Sequence, residues 1–113
     1  MAQVACTEES VLLVAYDSEY PQPLFAKRDT PDCAGVAMVL SARPSDKAIA
    51  AIQLRTTRAP ALSMAEAGLE QLRQQIPALR ALPLLQRVAK GEGGSVVLDY
   101  LAPQQIEMDV TPC

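Results

Sequence analysis

The chain has 113 residues, half of them hydrophobic and a fifth charged, with a net charge of -3. This length bounds it to a single domain, 1–113, and the apolar share excludes a disordered chain. Lys27-Arg28 is the longest cluster of basic residues, so the footprint that neutralises phosphates in nucleic-acid binding is missing.

No stretch approaches the roughly 20 apolar residues that span a bilayer. The segment from Met1 to Glu9 lacks the charged start and apolar core of a signal peptide. There is no histidine, which removes the commonest general base and a favoured metal ligand. Cys6, Cys33 and Cys113 are far apart and form no C-x-x-C pair, so zinc and thioredoxin-type redox readings lack support. Free thiols are expected, with one bridge, Cys33–Cys113 or Cys6–Cys33, as the alternative.

Val11 to Ala15 is an unbroken apolar run ending at Asp17. A half-wet strand alternates, so this run predicts a strand covered on both faces. The connection from Ser18 to Asp32 carries Pro21 and Pro23, with Leu24 and Phe25 as apolar anchors. Ala34 to Ser41 predicts a second buried strand, ended by Arg43-Pro44. Residues 48–54 suit a strand through Ile52 and Leu54, although Ser45-Asp46 would also suit the cap of a short helix.

Ser63 and Glu66 have the spacing of a capping box. In the helix after it, Ala65, Leu69, Leu72 and Ile76 fall on one apolar stripe, with Glu70, Arg73 and Gln74 turned to water. Pro77 ends or bends that helix. A second helical stretch, 78–90, carries Leu79, Leu82, Leu85 and Val88 on one face. Pro83 inside it predicts a break near Leu82 or a helix starting at the proline. Lys90-Gly91 is an end signal. The chain closes as a hairpin: Ser95–Leu101, a turn at Ala102-Pro103-Gln104, then Ile106, Met108 and Val110 alternating with Glu107, Asp109 and Thr111. That pattern predicts a last strand at an edge or on an exposed face.

Several segments, in this order, resemble the beta-ketoacyl synthase-like family, specifically the chain-length-factor-like proteins of aryl polyene and related pigment pathways in bacteria. They are Val11–Asp17, the Tyr20-Pro-Gln-Pro-Leu24 turn, Gly35–Leu40, Leu79–Leu85, Ala89–Glu92, Val96–Leu98 and the ending Val110-Thr-Pro-Cys113. The resemblance covers most of the chain, as the C-terminal part of such a domain. It implies an α/β fold, a partial thiolase-like (ketosynthase-like) layered arrangement, with a mixed sheet of about five strands and two helices. The remainder of the family's domain would lie ahead of Met1. The resemblance further implies a cytoplasmic partner for a catalytic ketosynthase and acyl carrier protein, or a homodimer. It brings neither the family's nucleophilic cysteine, which precedes the strand matching Val11–Asp17, nor its histidines. If the covering layers are absent, apolar surface must be hidden by self-association or by another chain.

No catalytic, cofactor-binding or metal-ligating residue is assigned. Cys6 lies too close to the first strand to leave room for the helix that follows a buried nucleophile. Cys33 would need a basic neighbour to lower its pKa, and Cys113 is terminal. Asp17, Glu19 and Asp32 suit turn capping better than acid–base work. Asp99 and Asp109 read as solvated rather than metal-binding. Glu92-Gly93-Gly94-Ser95 precedes a strand rather than opening a helix, so it reads as a plain loop, not a phosphate cradle. A small stand-alone binding or inhibitor domain, exported with one disulfide, is the other reading of the same residues.

Overall fold

The computed structural model describes residues 2–113. The start at Met1, and anything ahead of it, lies outside the described residues. The described chain is α/β, with three α-helices and five strands in two antiparallel sheets. The one mixed sheet expected from the sequence is therefore two separate sheets, and each strand pair is antiparallel. Two compact units result, one from residues 2–43 with 66–80 and the other from 44–65 with 81–113.

In the first unit, helix α1 (Ala2–Thr7) ends where Glu8 turns to a left-handed φ of 57°. Strand β1 (Val11–Asp17) pairs along its whole length with β2 (Ala34–Leu40). The connection between them is structured. A 3-10 turn spans Leu24–Ala26, and the Arg28 guanidinium lies over the Tyr20 ring, 5.8 Å from its centre. Helix α2 (Ala67–Gln75) follows later in the chain and leads into a 3-10 helix at Pro77–Ala81. The buried side chains of this unit are Val4, Thr30, Arg73, Ile76 and Ala78.

Two details of α2 depart from the sequence expectation. Glu66, not Ser63, is the N-cap: its carboxylate accepts from the amides of Gly68 (3.0 Å) and Leu69 (2.7 Å). A carboxylate that takes two of the orphan amides itself starts the helix three residues later. Arg73, expected in water, is 8% exposed. Its guanidinium donates twice to the Glu70 carboxylate, at 2.9 and 2.7 Å, which satisfies the charge as it is buried.

The second unit is a three-stranded sheet in the order β3 (Ala50–Thr57), β5 (Gln104–Pro112), β4 (Gly94–Leu101). Residues 50–57 are thus a strand, as Ile52 and Leu54 suggested. Helix α3 (Leu82–Ala89) has Pro83 at its second position, where the missing N–H has no intrahelical acceptor to lose. It ends in a Schellman arrangement. The Glu92 amide donates to Arg87 and the Gly91 amide to Val88, with Gly91 at a φ of 64°. Leu84, Val96, Val97, Leu98 and Val110 are buried here, and α3 packs on β4 and β5. The expected hairpin of β4 and β5 is present, but β5 is the central strand rather than an edge. Alternation reports which faces are wet and dry, and says nothing of how many neighbours a strand has.

Candidate functional site

Antiparallel partners directly opposite each other share a face. In the β1–β2 sheet this places Leu12 opposite Val39, Val14 opposite Ala37 and Tyr16 opposite Gly35. All six are exposed, with Leu12 at 64%, Val14 at 58%, Tyr16 at 76% and Val39 at 73%. This face carries no charged or hydrogen-bonding side chain other than the Tyr16 hydroxyl. The opposite face, with Val11, Ala15, Asp17, Ala34, Val36, Met38 and Leu40, is half-buried, and Leu13 is 37% exposed. The expectation that β1 is covered on both faces is therefore corrected. The run is apolar on both faces, but one of them stands in water.

The end of that strand is held firmly. Asp17 accepts a hydrogen bond from the backbone N–H of Ala78 at 2.7 Å. Val14, Ala15, Tyr16, Asp17, Pro77 and Ala78 line a shallow recess beside the apolar face. Leu24, Ile49, Tyr100 and Leu101 are also exposed apolar side chains, outside this face. Scattered apolar residues are ordinary on a protein surface, whereas a contiguous patch marks a surface made to be covered.

The polar face of the other sheet holds a charged cluster that the sequence reading missed. Arg55 sits opposite Glu107 in the β3–β5 register. Its guanidinium donates to both Glu107 oxygens, at 3.0 and 2.8 Å, and also to Asp109. Ser95 Oγ donates to Glu107 at 2.5 Å from the other side. The hydrogen bonds from Ser95, then those from Arg55, hold the Glu107 carboxyl below its ordinary value. The same carboxylates raise Arg55 above its own. The signal was available, since Glu107 and Asp109 alternate onto one face and Arg55 lies on a strand of opposite direction. The cluster joins three strands through hydrogen bonds among its own side chains, so its chemistry is structural.

The other candidate residues are not brought together. Asp109 is paired with Arg55 while its side chain stays 36% exposed, and Asp32 accepts from the Cys33 amide at 2.7 Å, a local turn contact. Glu19 is exposed. Gly93 accepts from the Arg87 guanidinium at 2.8 Å through its carbonyl, and of the segment expected to be a plain loop Gly94 and Ser95 already belong to β4. Cys6, Cys33 and Cys113 are exposed free thiols. Among the described residues, no group of three or more His, Cys, Asp or Glu is placed to hold a metal ion. No described helix is long and apolar enough to cross a membrane.

No protein-family model, no curated protein and no solved structure matches this chain.

Proposed function

We propose that this chain acts as a ketosynthase-like, chain-length-factor-like accessory protein. In this reading it pairs with a catalytic beta-ketoacyl synthase in the cytoplasm and helps to bound the pocket that holds a growing acyl chain on acyl carrier protein. The pathway would be fatty acid- or polyketide-type synthesis of aryl polyene pigments. The protein contributes surface rather than a nucleophile.

The observation that carries the reading is the apolar face of β1 and β2. Leu12, Val14, Tyr16 and Val39 are opposed in register and largely exposed. A sheet with apolar residues on both faces is the sequence pattern of a central layer, and a thiolase-like arrangement would cover both. The family-like segments Val11–Asp17 and Gly35–Leu40 lie on these same two strands. The pairing supplies the missing cover.

The test is co-expression with the ketosynthase encoded nearest to it, followed by size exclusion with mass detection, beside the chain alone. A stoichiometric complex is expected. A well-folded monomer that ignores the ketosynthase overturns the accessory reading and leaves a small stand-alone binding domain in its place.

A further inference from the structure

We draw no further inference here: the strongest candidate, the apolar face of the β1–β2 sheet with the shallow recess beside Pro77 and Ala78, belongs to the site already described, and nothing in the structure shows what covers it.

Discussion

The carboxylate of Asp17, the last residue of β1, accepts a hydrogen bond from the backbone N–H of Ala78 at 2.7 Å, across 61 residues of chain. Ala78 is the second residue of the 3-10 helix Pro77–Ala81. The first amides of a helix have no partner inside it, and Pro77 has none to offer, so Ala78 is the first donor that needs an acceptor. Asp17 supplies it in a part-buried setting.

Asp17→Ala leaves that amide without a partner. The expected cost is about 1–3 kcal/mol of unfolding free energy, the usual penalty for a stranded donor. Asp17→Asn keeps an acceptor oxygen but loses the charge assistance, so it should fall between the two. Urea unfolding of the three proteins, with the slope against denaturant held constant, reads this order. Equal midpoints for Asp17→Ala and the parent would show that the contact contributes nothing.

The Arg55 cluster predicts an acid limb. Glu107 is held below its ordinary value by Ser95 and Arg55. A carboxyl lowered in the folded state contributes stability that is fully present above its unfolded value, about 4.3 for glutamate. That contribution is lost as pH falls through the lowered folded value. Arg55, whose pKa is raised, stays charged across this window and adds no slope of its own. Its side chain is 56% exposed, so the effect is small in absolute terms. Glu107→Gln should therefore be less stable than the parent at pH 7, and the gap should close as pH falls below about 4.3. Thermal unfolding of both proteins across that range is the measurement. A gap independent of pH would show that Glu107 acts through packing and not through its charge.

Much of this architecture was legible because it depends on local rules. Pro83 and Lys90-Gly91 mark the two ends of α3, since proline at the start and glycine past the end are backbone requirements. Ile52 and Leu54 reveal β3 by their period of two. The rest depended on neighbours that local pattern does not encode. The run Val11–Ala15 shows that both faces of β1 are apolar, but not that both are covered. Ile106, Met108 and Val110 define the apolar face of β5, while its central position follows from β3 returning to pair with it. Arg73 counts as a water-facing residue until Glu70 is placed against it. Glu66 at its spacing from Ser63 serves equally as the closing member of a capping box or as the cap itself, and only the path of residues 63–66 decides. Of the candidate site, the apolar character of both faces was legible in β1 and β2, whereas the Arg55 cluster required the register between β3 and β5.

The three thiols give a direct check on the surface. Cys6, Cys33 and Cys113 are exposed and unbridged, so a disulfide-exchange reagent should titrate all three in the native chain without reductant. Unfolding the chain should add none. Fewer than three, restored by reductant, would reveal a bridge and favour an exported binding domain over the accessory reading. Cys33→Ala should leave both pairing and the partner's turnover unchanged. A large loss of turnover with pairing preserved would assign Cys33 a chemical role and remove the non-catalytic reading.

The apolar face is the most exacting test because it can be made polar without unfolding the sheet. Leu12 and Val39 are directly opposed, so Leu12→Lys with Val39→Glu places an opposite-charge pair across the two strands. Such a pair offsets part of the lost strand preference, by about 0.2–1 kcal/mol. Both positions are largely exposed, and stability should stay within about 1 kcal/mol of the parent. Two charges set into the middle of an interface must be desolvated when a partner docks, which costs far more than the contacts they replace. The double variant should therefore lose at least tenfold in affinity for the ketosynthase, measured by titration or by co-elution at graded concentrations. Ile49→Ser, at an exposed apolar residue outside this face, is the matched control and should bind as the parent does. Loss of binding in the double variant alone places the partner on β1 and β2. Undiminished binding in both would place it elsewhere, and the apolar face would no longer support the accessory reading.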